Sequence, residues 1–121
     1  MASLNMQGPY TLKNDNIDEV ITKTSAGNYA LGDSDEKTFY VRYVGRADEN
    51  VKVRLKSWVG KKDKYKEFKF SYATSPKAAF EKECQNYHDF GGSDKLDNDI
   101  HPDRPEGSGW KCPMCKVFDD E

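Results

Sequence analysis

The sequence has little of what places a protein in a membrane or in an oxidising compartment. Its 121 residues contain no apolar run near the roughly 18 residues that a membrane-spanning helix needs. Residues 1–7 lack the apolar stretch of a secretory signal, and the three cysteines cannot all pair with one another. A disulfide framework of the secreted type is therefore disfavoured, and we expect a cytoplasmic protein with no membrane partner.

The chain is also poor in apolar residues and in nucleotide-binding glycine motifs. Hydrophobic residues make up 36% of it and charged residues 33%, with a mean hydropathy of −0.96. A single domain of this composition has a thin core, which an additional cross-link would support. The sequence has neither a dinucleotide-binding glycine fingerprint nor a phosphate-binding P-loop, which excludes those two kinds of phosphate site.

Charge is unevenly distributed along the chain, although the net charge is only −2. Residues 42–69 contain ten Lys or Arg and four Asp or Glu, whereas residues 89–121 contain four basic and nine acidic residues. A basic surface of this kind favours a phosphate backbone. We expect DNA as the partner, with RNA as the alternative nucleic acid, and a monomeric protein. The expected contacts are Arg46, Lys52, Lys56, Lys61 and Lys62.

Hydrophobic periodicity predicts one α+β domain at residues 17–90, between an N-terminal tail at 1–16 and a C-terminal extension at 91–121. Strands are expected at residues 27–31, 38–44 and 67–74, each bounded by turn-forming residues. A helix with Asp48 as its N-cap is predicted from an apolar stripe at Val51, Leu55, Trp58 and Val59.

The last predicted helix begins at Ser75 and Pro76 and reaches about residue 88, before Gly91 and Gly92. Residues 93–109 have no periodicity and are expected to be irregular.

Four residues in these elements carry the groups that phosphodiester hydrolysis needs. Tyr29 and Tyr43 lie on the first two strands, Arg54 on the following helix and Glu83 on the last helix. The phenols could position or deprotonate a water, the guanidinium could bind a phosphate oxygen, and the carboxylate could hold a divalent metal. Taken singly, each could be an ordinary strand aromatic or a solvated charge.

The order of these residues, with their glycines, resembles the GIY-YIG nuclease superfamily over residues 27–90. Gly27-Asn28-Tyr29 stands at the first signature and Tyr43-Val44-Gly45 at the second. The resemblance implies a three-stranded antiparallel sheet flanked by helices, and DNA cleavage with one Mg²⁺ or Mn²⁺ held by Glu83. Trp58 stands where many members have a histidine. Since tryptophan cannot accept a proton, catalysis would depend on Tyr29 or on water activated by the metal.

A second group of residues predicts a structural zinc site. Cys84 and His88 are one helical turn apart on the last helix, and Cys112 and Cys115 have the spacing with which two thiolates share a tetrahedral ion. Four protein ligands leave no position for water, so the zinc would attach the extension at 91–121 to that helix. His101 is an alternative ligand for Cys84 or His88.

Two alternatives to an endonuclease remain at this point. One is a non-catalytic module of the same fold that binds nucleic acid or a protein partner, which the tryptophan at position 58 supports. The other is a zinc-bound C-terminal extension that itself serves in partner docking or redox sensing.

Overall fold

The structure, a computed structural model, describes residues 6–35, 38–61, 65–98 and Trp110. Four strands and four helices lie in these residues. In chain order they are β1 (Gln7–Thr11), α1 (Asn14–Val20), β2 (Gly27–Ser34), β3 (Phe39–Ala47), α2 (Val51–Lys56), β4 (Glu67–Tyr72), α3 (Pro76–Asp89) and α4 (Gly92–Lys95). Within these residues, no helix is long and apolar enough to cross a membrane.

The strands form one antiparallel sheet in the order β1-β4-β2-β3, so the prediction of three strands was wrong. The additional strand is β1, which lies in the predicted N-terminal tail and pairs Tyr10 with Phe68. Gly8 and Pro9 interrupt its pattern, which is why the sequence indicated a tail. A proline is tolerated here because β1 lies at the edge of the sheet.

The two faces of the sheet bury different side chains. Along β2, Tyr29 and Leu31 belong to one apolar cluster, which includes Ile17 of α1 and Leu55 of α2. Ala30 points the other way and joins a second cluster with Tyr87 of α3. Helices α1 and α2 therefore cover one face and α3 covers the other, as the period-2 alternation of a strand requires.

The helix N-termini are fixed by side-chain caps. Ser75 caps α3 as predicted, accepting a hydrogen bond from the Ala78 N–H at 3.1 Å, with Pro76 in the first turn. The predicted Asp48 cap of α2 was wrong, because Asn50 accepts hydrogen bonds from two amides of that helix. Strand β3 continues to Ala47, beyond the predicted end at Val44, and this extension leaves Asp48 next to Arg46 rather than at the helix.

The outer edge of β3 is covered by the segment that follows α4. Asn98 is buried, accepts a hydrogen bond from Val44 N–H at 3.0 Å and donates one to the Val44 carbonyl at 2.9 Å. The Asp97 N–H donates to the Arg42 carbonyl at 2.6 Å. These contacts continue the sheet for a few residues where an exposed edge would otherwise present free backbone groups. The start of the predicted irregular region thus contains α4 and this short edge cover.

Asn98→Ala should destabilise the protein strongly. The substitution removes two hydrogen bonds and leaves a buried amide and carbonyl of Val44 unsatisfied, which costs about 2–4 kcal/mol in the free energy of unfolding. Asn16→Ala is the matched control, since the Asn16 side chain makes one exposed hydrogen bond to the Thr11 carbonyl. Urea denaturation of both variants measures the difference. Equal, small losses would show that Asn98 does not hold the edge of β3.

Candidate active site

Tyr29, Tyr43, Arg54 and Glu83 line one pocket with a volume of about 700 Å³. They come from four different elements, β2, β3, α2 and α3. The structure therefore brings together all four residues that the sequence singled out for catalysis. The Asp48 and Glu49 carboxylates also line the pocket, which gives it a mixture of both signs of charge.

The glycine of the second signature makes room for the Tyr29 ring. Tyr29 and Gly45 are directly opposed on β2 and β3. A Cβ at position 45 would lie 2.3 Å from Tyr29 Cζ, closer than any real contact, so the ring lies directly on the Gly45 backbone. The phenol can extend across β3 only because position 45 has no side chain. In the described sheet β3 has no further strand beyond it, so Glu83 on α3 can reach the same pocket.

The Tyr29 hydroxyl is held from two sides. Trp58 Nε1–H donates a hydrogen bond to it at 2.9 Å, and the Arg54 guanidinium interacts with it. Burial raises the pKa of Tyr29 to about 12, although Trp58 and Arg54 both act to lower it. The phenol is therefore protonated at neutral pH. A protonated phenol can donate a hydrogen bond.

Tyr43 and Arg54 complete this side of the pocket. The Tyr43 ring packs on Trp58, with centroids 4.7 Å apart, and lies 6.5 Å from the Tyr29 ring. Burial raises the pKa of Tyr43, and the Glu83 carboxylate raises it further. The hydrogen bond with Tyr29 raises the pKa of Arg54, which stays fully charged. This side of the pocket thus has one positive charge, that of Arg54, facing two neutral phenols.

Glu83 lies at the other side of the pocket in an ion pair with Arg46. Arg46 Nη1 is 2.7 Å from Glu83 Oε1, and Arg46 Nε is 2.9 Å from Asp48 Oδ1. Only 8% of Glu83 is exposed, and burial raises its pKa to about 7 against the opposing effect of Arg46. Burial acts to lower the pKa of Arg46, but Glu83 and Asp48 outweigh it and raise that pKa.

The predicted nucleic-acid contacts occupy different environments. Arg46 is partly buried between two carboxylates, and Lys52 and Lys56 both face Asp18, at 3.6 and 2.6 Å. Lys61 is exposed in the turn after α2. Ion pairs at this exposure contribute little and are screened by salt, so the two lysines of α2 can turn towards another anion. Lys62 lies outside the described residues.

The pocket suits a hard divalent cation bound by few protein ligands. Mg²⁺ is typically held by one or two carboxylates together with substrate phosphates and water. Glu83 and Asp48 provide such carboxylates, and Glu83 has its second oxygen, Oε2, outside the ion pair with Arg46. Over residues 6–35, 38–61 and 65–98, no three His, Cys, Asp or Glu residues form a metal-binding group. Glu83 and Asp48 could hold Mg²⁺ or Mn²⁺ only together with further oxygen ligands, and only after Glu83 has lost its proton.

The predicted zinc ligands are only partly covered by the structure. Cys84 is fully buried on α3, in a cluster with Phe80 to which Trp110 also packs. His88 lies one turn later on the same helix, with its ring against Tyr87. Cys112, Cys115 and His101 lie outside the described residues, so the zinc site stays a prediction.

Two functional contacts were missed at the level of sequence. The first is the pairing of Arg46 with Glu83, and the second is the hydrogen bond from Trp58 to Tyr29. The pairing of Arg46 with Glu83 could have been predicted from a longer β3. In such a strand Arg46 points to the face covered by α3, opposite to Gly45. Trp58 was placed on the correct apolar stripe, but no sequence pattern indicates which phenol its indole N–H reaches.

Comparisons with known protein families, curated proteins and solved structures give no match to this chain. Membership of the GIY-YIG superfamily therefore stays a prediction. It is based on the order of the signature residues and their glycines.

Glu83 should make the stability of the protein depend on pH. Its carboxyl keeps a proton up to about pH 7 when folded but only to about 4.5 when unfolded. The contribution of the protonated Glu83 carboxyl to stability is fully present below its pKa in the unfolded chain. It is lost as pH rises through its pKa in the folded protein. Between about pH 5 and pH 8, the unfolding free energy should therefore fall by about 3 kcal/mol relative to Glu83→Gln. Urea denaturation across this range measures it, and a pH-independent difference would contradict a raised pKa.

Proposed function

We propose that this protein is a GIY-YIG-type endonuclease that hydrolyses DNA phosphodiester bonds with a divalent metal ion. The observation that carries the proposal is the shared pocket of Tyr29, Tyr43, Arg54 and Glu83. Four elements of the fold contribute these residues, which place two phenols, a guanidinium and a carboxylate around one concave surface. Phosphodiester hydrolysis does need these groups together.

Each residue has a role that its surroundings support. Arg54 is charged and partly exposed, so it can bind a non-bridging oxygen of the scissile phosphate. Tyr29 and Tyr43, both protonated, position the phosphate and the attacking water by hydrogen bonds. Glu83, whose Oε1 pairs with Arg46, would hold Mg²⁺ or Mn²⁺ once its carboxyl has lost its proton. A bound metal of this kind supplies Lewis-acid stabilisation of the charge that develops on the phosphate.

The DNA backbone would extend from the pocket over α2. Lys52 and Lys56 lie on this helix, and Lys61 lies just after it. Lys52 and Lys56 would exchange Asp18 for phosphate, and the DNA would release counterions, so binding should weaken steeply as salt rises. In this proposal the protein acts as a monomer in the cytoplasm, and RNA is the alternative substrate.

A non-catalytic module that binds nucleic acid or a protein is the second candidate. Two contacts favour it. Trp58, which can only donate, takes the place of a residue that could accept a proton, and Arg46 already neutralises the Glu83 carboxylate. Such a module would use the same basic helix without turnover.

Nicking of supercoiled plasmid DNA with Mg²⁺ or Mn²⁺ tests the proposal. Arg54→Ala and Glu83→Ala should each lower the rate by about 100-fold, because each removes a charge aimed at the phosphate or the metal. The matched controls are Arg42→Ala, which breaks an exposed pair with Asp33, and Glu81→Ala on the same helix as Glu83. Both controls should keep the rate of the wild type.

The same assay separates the two candidate functions. Cleavage that persists in both Arg54→Ala and Glu83→Ala contradicts the assignment of the site. Salt-dependent binding of DNA or RNA without cleavage on nicked, branched or single-stranded substrates supports the non-catalytic module. Absence of any nucleic-acid binding directs attention to a protein partner.

We also propose a structural zinc ion bound by Cys84, His88, Cys112 and Cys115. The observation in its favour is the position of Trp110, whose ring lies 5.9 Å from that of Phe80, in the cluster that contains Cys84. Cys112 follows Trp110 by two positions in the sequence. The zinc would then attach the acidic extension to α3 and supplement a small core.

Elemental analysis of the purified protein should find about one zinc per chain. Cys112→Ser should lose the metal and lower the free energy of unfolding, because the four ligands act together. His88→Ala and His101→Ala form a matched pair, and only the true ligand should cause loss of zinc. A metal-free protein from cells grown with ample zinc would contradict this site.

A further inference from the structure

We propose that Trp58 is a positioning residue that directs the hydroxyl hydrogen of Tyr29 into the pocket, so that Tyr29 acts as a hydrogen-bond donor to the substrate phosphate and not as a general base. This inference rests on the proposed function, since it assigns a direction to one group of the same site. It explains what the tryptophan does at this position. A histidine there could accept a proton, whereas a tryptophan can only donate a hydrogen bond.

The geometry around the Tyr29 oxygen carries the proposal. A phenol has one hydrogen to donate and two lone pairs that accept. Trp58 Nε1–H donates to the oxygen at 2.9 Å, and an indole N–H can only donate. The Arg54 guanidinium, which also has no acceptor, interacts with the same oxygen. Trp58 therefore occupies one lone pair of the oxygen, and the nearby positive guanidinium disfavours a hydroxyl hydrogen that points towards it.

The hydroxyl hydrogen then has one direction left. Within the part of the chain that the structure describes, no residue accepts a hydrogen bond from Tyr29. The residue is also buried, with only 1% of its surface exposed. A buried polar hydrogen without an acceptor is costly, so an acceptor in the pocket is strongly favoured. A non-bridging phosphate oxygen is such an acceptor, and its negative charge grows as the water attacks.

Trp58 is held firmly enough to fix this direction. Its ring packs against Tyr43 with centroids 4.7 Å apart and against the edge of Tyr65 at 5.7 Å. Its backbone N–H donates to the Leu55 carbonyl at 3.0 Å at the end of α2. The burial that raises the pKa of Tyr29 to about 12 agrees with a phenol that keeps its proton.

Hydrogen exchange of the Trp58 indole N–H tests the contact without any need for activity. The chain has two tryptophans, so a Trp110→Phe variant assigns the two indole resonances in an NMR spectrum. Tyr29→Phe should speed exchange at Trp58 by about tenfold, the effect of losing one hydrogen bond. Tyr65→Phe is the matched control, because the Tyr65 ring also packs on Trp58 while its hydroxyl donates to Asp97, and this variant should leave the exchange rate unchanged. Equal exchange in the wild type and Tyr29→Phe would overturn the proposal.

A double-mutant cycle tests whether Trp58 acts through Tyr29. In single-turnover cleavage, Trp58→Phe should slow the chemical step by about tenfold with unchanged DNA affinity. In the Tyr29→Phe background the same substitution should change the rate by less than about twofold, because its target is gone. An equal loss in both backgrounds would show a merely structural role and overturn the inference.

The pH dependence of cleavage distinguishes a donor from a base. If Tyr29 donates, the ratio of the wild-type rate to the Tyr29→Phe rate should stay constant through neutral and mildly alkaline pH, because the raised pKa keeps the phenol protonated there. A rate that instead rises with deprotonation of Tyr29 would assign it as the base and overturn the inference. If the wild-type protein cleaves no DNA at all, the proposed function fails, and the indole exchange still decides whether Trp58 holds the Tyr29 hydroxyl.

Discussion

The contact of the Tyr29 ring with the backbone of Gly45 is the constraint on which the candidate site depends. Because position 45 has no side chain, a phenol that starts on β2 can lie across β3 and place its oxygen in the pocket. Trp58 and Arg54 approach that oxygen from the side of α2. Any larger residue at position 45 would take the place of the ring itself, and the other groups would lose the atom that they surround.

The opposite face of the sheet contributes the acidic part of the same pocket. Helix α3 packs on the face away from α1 and α2, yet its Glu83 meets the phenols because β3 ends the described sheet on that side. Arg46 points to the same face and binds the carboxylate in the absence of other cations. The site thus joins residues from both faces of the sheet. Because Glu83 is paired with Arg46, a second cation at this carboxylate would compete with that ion pair.

Much of the fold follows from local patterns in the sequence. The alternation of Phe68 and Phe70 predicted β4, and Ser75 with Pro76 predicted the start of α3, because these signals act within a few residues. Strand β1 was missed since a proline at a sheet edge looks like a turn. Asn98, which covers the outer edge of β3, could not be predicted, because its partners at Val44 are distant in the sequence.

The candidate site also has a part that the sequence predicted and a part that it did not. The four residues of the signature were predicted together, and the structure places them in one pocket. The environment of each was not predictable: the raised pKa of Glu83 comes from burial under α3, and the donor to Tyr29 is an indole that the sequence shows only as a core residue. Sequence order indicated which groups meet, and only the packing decides which proton and which charge each one carries.

Paramagnetic broadening by Mn²⁺ tests most directly whether these groups share one metal-dependent site. Titration of the folded protein with Mn²⁺, followed by NMR of the backbone amides, should broaden the resonances of Gly45, Arg54 and Glu83. Those of β1, which is separated from β3 by two strands, should stay sharp. The effect should disappear in Glu83→Gln. Broadening elsewhere, or broadening that persists in that variant, would contradict the account.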